Sequence, residues 1–161
     1  MEREYPDRPL VGVGAIVLDG ERVLLVRRGH PPAEGMWAFP GGLVELGESA
    51  AQAVKREVEE ECQIRIEPFA IAGLFEPVVR EGDRIKYHYV VIDFAARYVS
   101  GELKAASDAW EARWVPLDEV DRYPLSDDAR RLLARAMHAV EFGSKDDCCP
   151  EFKATVSELK R

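Results

Sequence analysis

One stretch, Trp37 to Ile64 (WAFPGGLVELGESAAQAVKREVEEECQI), limits what this chain can fold into more than any other. Ser49 followed by Gln52 has the form of a capping box and starts a helix at about Ala50. At about 100° per residue, Ala50, Ala53 and Val54 fall on one side, where a core-facing stripe belongs. Glu57 and Glu61 continue that stripe, Glu60 lies at its edge, and Arg56 sits one turn before Glu60. Carboxylates spaced i, i+3, i+4 repel one another. Burying them unpaired costs several kcal/mol each or forces protonation. Positive charge must therefore sit among them, and three hard oxygen ligands suit a divalent cation such as Mg2+ or Mn2+. The competing reading of such a run is a solvated acidic face, which is how Glu59, on the opposite side, is read. Here the acids interrupt the apolar stripe instead of lying across from it.

Gly42, Glu48, Arg56, Glu57, Val58, Glu60, Glu61 and Ile64 follow the spacing G-x5-E-x7-R-E-U-x-E-E-x-G-U, where U is aliphatic. The stretch resembles the Nudix box at every defining position except the late glycine, which is Gln63 here. A non-glycine residue at a helix end that needs φ > 0 costs on the order of 1 kcal/mol. The flanks VGVGAIVLDGERVLLVRRG, YHYVVIDFAA and EARWVPLDEV resemble the family too, so the likeness runs roughly from Leu10 to Val140.

The resemblance implies an α/β (α+β layered) domain with a mixed β-sheet sandwiched between α-helices. It also implies metal-dependent hydrolysis of a phosphoanhydride bond in a nucleoside diphosphate linked to another moiety. The flanks look most like ADP-ribose pyrophosphatases, which give AMP and ribose 5-phosphate. The alternatives are a MutT-like (deoxy)nucleoside triphosphate pyrophosphohydrolase and a non-catalytic Nudix-fold sensor. By the same resemblance, Glu57, Glu60 and Glu61 are metal ligands with the Gly41 carbonyl, and Arg56 orients Glu60. Glu48 holds Arg56 or a metal-bound water. The general base is a box glutamate or an acid before Trp114, either Asp108 or Glu111. Arg27 and Arg28 are either a solvated rim pair or contacts for substrate phosphate.

The 161 residues, 47% apolar and 32% charged, describe one soluble globular domain with a substantial core. No run reaches the length of a membrane span, and the N-terminus lacks a signal-peptide core. A net charge of −8 argues against a nucleic-acid partner. A small-molecule nucleotide still fits, because a bound divalent ion reverses the local potential. Three cysteines, Cys62, Cys148 and Cys149, form no CxxC pair and point to a reducing cytoplasm.

In chain order, residues 1–9 read as a charged, loosely held leader before a domain over residues 10–142. Leu10 to Leu18 and Val23 to Arg27 read as strands around an Asp19-Gly20 turn. Gly29 to Gly35 reads as a loop, Pro40-Gly41-Gly42 as a tight turn and Leu43-Val44 as a short strand. Further strands are expected at Ile64 to Phe75, broken at Pro68, at Ile85 to Tyr98 in a central position, and at Arg113 to Val115. Arg80 to Arg84 is expected to be a polar loop and Pro116 to Val120 a short helix. Ser126 caps a last helix that runs to about Glu141.

The segment 143–161 carries a Phe152, Val156, Leu159 stripe outside the resemblance. It packs on its own domain, on a partner chain as in a homodimer, or stays disordered. Truncation after Gly143 should leave nucleotide hydrolysis intact. Loss of folded protein in the truncated chain, measured by circular dichroism, would assign the tail to the core or to an interface.

Overall fold

The computed structural model describes residues 3–31, 33–107 and 109–142. Its sheet is organised around Leu10–Asp19 (β1), in which Val11 is the one exposed position. Strands buried on both faces read as near-continuous apolar runs, and β1 is one. β1 pairs with Arg22–Arg28 (β2) in an antiparallel hairpin and with Gly41–Leu43 (β4) near its start. On its other side β1 runs parallel to Arg84–Ser100 (β7), Leu10 facing Tyr89 and Leu18 facing Arg97. Arg65–Phe75 (β5) and Val78–Glu81 (β6) add antiparallel to β7. Trp37–Ala38 (β3) and Ala109–Pro116 (β8) add antiparallel to β2. The sheet is therefore mixed, with the order β3-β2-β1-β7-β5 along its spine.

Alternation along the strands gives the sheet two apolar faces, and each carries a helix. Ala50–Cys62 (α1) places Ala53, Val54, Val58 and Cys62 against Val13, Ala15, Val17, Leu24 and Phe94. Asp127–Phe142 (α2) places Leu132, Leu133 and Ala136 against Ile16, Leu18, Leu25 and Ala95. The expected sandwich of one mixed sheet between helices is what the chain forms. The start of α1 is also as expected: Ser49 accepts from the Gln52 amide, and the Gln52 side chain accepts from the Ser49 amide.

Several local expectations are corrected. Pro40-Gly41-Gly42 is not a tight turn, because Gly41–Leu43 is strand β4, in register with Gly12 to Gly14. A Cβ on Gly41 would strike the Val13 carbonyl, so glycine serves close approach here and not a positive φ. Arg80 to Arg84 is not a loop but the end of a hairpin that turns at Gly82 and Asp83, with Gly82 at φ +60. Pro68 does not break its strand; β5 continues past it with a register shift. The strand about Trp114 starts earlier than expected, at Ala109, while the short helix expected after it forms as a 3-10 helix over Leu117–Arg122. The leader lies against β7: the Tyr5 amide donates to the Lys86 carbonyl at 2.8 Å, and the Tyr87 hydroxyl donates to Glu4. Asp108, Cys148, Cys149 and the tail stripe lie outside the described residues.

The end of α1 keeps the backbone that glycine favours although glycine is absent. Gln63 sits at φ 58, ψ 26, and its amide donates to the Glu59 carbonyl. Since its side chain is exposed, Gln63→Gly should raise stability by about 0.5–1 kcal/mol. Urea unfolding measures this, and a destabilised variant would mean the left-handed cap carries no strain.

Candidate active site

The capping box fixes the start of α1, and from there the helical repeat sends Arg56, Glu57, Glu60 and Glu61 toward β4 and the loop after it. Arg56 is the centre of the resulting network. Its Nη2 and Nε donate to the two oxygens of Glu48 at 2.6 and 3.1 Å, the bidentate geometry of a guanidinium on a carboxylate. Its Nη1 donates to Glu57 at 2.9 Å and to Glu60 at 3.3 Å, and Nη2 also reaches the Leu43 carbonyl at 3.0 Å. One cation thus ties the loop before α1, strand β4 and two turns of the helix.

The electrostatics follow from these contacts. The bond from Arg56, then that from the Glu45 amide, hold the Glu48 carboxyl below its ordinary range. Burial raises the Glu57 carboxyl, and the Arg56 guanidinium only partly opposes it. Arg56 is raised above its already high value, chiefly by Glu48, and stays charged. Cys62, fully buried beside these acids, has its thiol pushed up to about 12 by burial and is inert packing.

The third acid takes a separate partner: the Gly41 amide donates to Glu61 Oε2 at 3.0 Å. The Glu57 carboxylate lies against Gly42, where a Cβ would run into its carboxyl carbon. Two carboxylates one turn apart therefore flank the Gly41–Gly42 backbone. Among the described residues no three acidic, thiol or imidazole side chains converge on one point, because Glu60 is turned to Arg56. Glu60 is half exposed, with 52% of its side chain accessible, so a rotation frees it from that long bond. The donors are hard oxygens on a cradle without side chains, and they fit a divalent cation.

The remaining candidates do not all meet here. Arg28 lines a small recess with His30, Gly41 and Glu61, on the α1 side of the sheet. Arg27, one residue earlier, faces the other way; its Nε donates to the Gly35 carbonyl at 3.0 Å and its guanidinium lies over Trp110. Glu111 stands opposite Arg27 in the β2–β8 ladder and is paired with Arg113. Arg113 also lies over Trp37 and reaches the Tyr123 hydroxyl, on the α2 side, so Glu111 is turned from the box acids. Of the aromatic residues near the site, Trp37 packs edge-on against Tyr123, while Tyr87 and Tyr89 stack at 6.3 Å.

A buried acid, Asp93, escaped the sequence reading because it sits inside an apolar strand with no spacing signal. It is 5% exposed and pairs across β7 with Gly14 on one side and Gly73 on the other. A Cβ on Gly14 would strike its carboxylate oxygen. The signal was available as two glycines in flanking strands, but it needed the register to be read.

An Arg-centred group of helix carboxylates set against a two-glycine strand, on a mixed sheet between helices, defines an α+β domain with a site suited to a divalent cation. The chain belongs to the Nudix hydrolase family: the NUDIX domain matches residues 8–136. It is 33% identical over 114 residues to an ADP-ribose pyrophosphatase of Methanocaldococcus jannaschii, covering 71% of this chain and 66% of that one. It is 32% identical over 137 residues to the NAD-capped RNA hydrolase NudC of Pseudomonas syringae, covering 84% of this chain and 46% of the relative. The chain thus spans just under two thirds of the first relative's length and less than half of the second's. A MutT NUDIX hydrolase structure from Burkholderia pseudomallei superposes with a TM-score of 0.70 at 30% identity, covering 80% of this chain and 98% of that one. Nudix hydrolases generally use divalent metal ions. No helix among the described residues is long and apolar enough to cross a membrane.

Asp93 gives the fold a pH signature. Burial pushes its carboxyl from 3.8 up to about 7, so the folded chain holds this proton more tightly than the unfolded chain. Stability must then fall as pH rises from about 4 to about 7 and level off above. Asp93→Asn removes that loss and should gain on the wild type by on the order of 2 kcal/mol between pH 5 and pH 8. Urea unfolding at the two pH values reads the difference, and a constant difference would contradict the assignment.

Proposed function

We propose that this chain hydrolyses ADP-ribose between its two phosphates, giving AMP and ribose 5-phosphate, with a divalent cation such as Mg2+ or Mn2+. The observation that carries the hydrolytic reading is the placement of Glu57 against Gly42 and of Glu61 on the Gly41 amide, with Arg56 bonded to Glu57. Support for ADP-ribose comes from the Methanocaldococcus jannaschii relative, which is named for that substrate.

Glu57, Glu60 and Glu61, with the Gly41 carbonyl, are the residues that would hold the ion. The bound ion supplies Lewis acidity toward oxygens that otherwise shield phosphorus from water. Arg56 donates to Glu57 and Glu60 and aims both, and Glu48 keeps Arg56 in place. Arg28, on the α1 side next to Glu61, is the arginine of the Arg27-Arg28 pair suited to substrate phosphate. Of the candidate bases among the described residues, a box glutamate is favoured over Glu111, which Arg113 engages on the other side. The reaction belongs in the cytoplasm on this reading. A second reading, hydrolysis of a (deoxy)nucleoside triphosphate, draws on the structural likeness to the MutT hydrolase.

Two measurements test the proposal. Product analysis should give AMP and ribose 5-phosphate at a higher kcat/KM than pyrophosphate release from any deoxynucleoside triphosphate; the reverse order would favour the second reading. Glu60→Gln should lower kcat by roughly three decades, about 4 kcal/mol, while Glu59→Gln on the solvent side stays near wild type. Equal behaviour of the two variants would refute the assignment of Glu60. Because burial raises the Glu57 carboxyl, cation binding should release protons and weaken as pH falls.

A further inference from the structure

Beside the box acids lies an open cleft of about 340 Å³, lined by Arg3, Glu4, His30, Pro31 and Tyr87. His30 lines both this cleft and the recess that holds Arg28, Gly41 and Glu61, so the two spaces border one side chain. Arg3 lies close enough to the box for its charge to act on Glu57, and both Arg3 and Arg28 act on the Tyr89 hydroxyl. The cleft exists because the leader is fixed along β7 through Tyr5 and Glu4.

The chemistry of the lining is specific. His30 Nδ1 faces the Pro31 carbonyl at 3.0 Å, an acceptor, so Nδ1 carries the proton and Nε2 accepts from Arg3 Nη1 at 3.4 Å. A guanidinium has five N–H donors, and among the described residues His30 is the one hydrogen-bond partner of the Arg3 side chain. Glu4 takes the Tyr87 hydroxyl on Oε1, which leaves carboxylate lone pairs for further donors. A guanidinium suits a phosphate, and a carboxylate a short distance away suits sugar hydroxyls.

We propose that this cleft is a sugar-phosphate subsite, in which Arg3 binds the phosphoryl group and Glu4 accepts from ribose hydroxyls. It would hold the half of the substrate that leaves as ribose 5-phosphate, and in that respect it rests on the ADP-ribose reading. The leader then sets specificity, since nothing in the box distinguishes what is attached to a diphosphate.

The test titrates the full chain with ribose 5-phosphate and with inorganic phosphate, followed by calorimetry. Wild type should bind ribose 5-phosphate more tightly than phosphate. Arg3→Ala should weaken both by about tenfold, with Arg3→Lys recovering part of the loss, while Glu4→Gln should lower the preference for the sugar phosphate alone. With ADP-ribose as substrate, Arg3→Ala should raise KM by a similar factor and leave kcat within about twofold. Unchanged binding in Arg3→Ala, with its melting temperature retained, would overturn the proposal, as would wild-type protein that prefers inorganic phosphate. Wild type that binds ribose 5-phosphate through Arg3 and Glu4 yet fails to cleave ADP-ribose would keep the subsite and defeat the substrate reading.

Discussion

The arrangement described here depends on one guanidinium placed among carboxylates. Without Arg56, Glu57 and Glu61 would have to be desolvated one turn apart with half-exposed Glu60 beside them, and like-charge repulsion would raise their pKa values or push the helix away. With it, two of them become hydrogen-bond acceptors in a network that also closes the loop through Glu48 and fixes β4 through the Leu43 carbonyl. Such networks cost more than they return when half satisfied, because each abandoned carboxylate keeps its desolvation penalty. An arginine is needed because a lysine offers a point charge and cannot hold Glu48 through two parallel bonds while reaching Glu57 and the backbone.

The second constraint is the space left by missing side chains. Gly42 makes room for the Glu57 carboxylate, Gly14 for that of Asp93, and Gly41 for the backbone of β1. None of the three has a positive φ. Their role is packing: they bring acids and carbonyl groups onto the strand surface at distances a Cβ would forbid. The two acids lie on opposite faces of the sheet and meet different fates. Glu57 has a cation beside it, whereas Asp93 is shifted by burial alone.

Much of this was readable in the sequence, and the exceptions have physical causes. The capping box, the helical phase of the acids and the two flanking layers are set by short-range spacing, and they appear where Ser49, Gln52 and the apolar stripe put them. Gly41 and Gly42 misled because consecutive glycines suggest a turn, while their pairing with β1 depends on a strand far back in the chain. The hairpin at Gly82 was hidden because all four residues of β6 are exposed, so that strand shows no apolar alternation. Arg27 and Glu111 could be placed near the site from their position, but a strand sends neighbouring side chains to opposite faces, and the phase was not fixed until β2 and β8 were in register. Arg3 and Glu4 belong to a leader whose composition gives no sign that it docks on Tyr87.

The parallel pairing of β1 with β7 joins Leu10 to Tyr89 and encloses the whole acid-bearing helix within the chain between them. Closing so long a loop carries a large entropic cost before any contact rewards it, so this step is slow compared with forming α1 or the β1–β2 hairpin. On a ribosome, α1 emerges with its carboxylates before the strand that completes the sheet behind it has been made. Through that interval the helix has its own arginine as counter-charge, because Arg56, Glu57 and Glu60 are local to one another and Glu48 is only two turns away. A cluster that would otherwise disfavour folding thus enters the slow step with one counter-charge already in place.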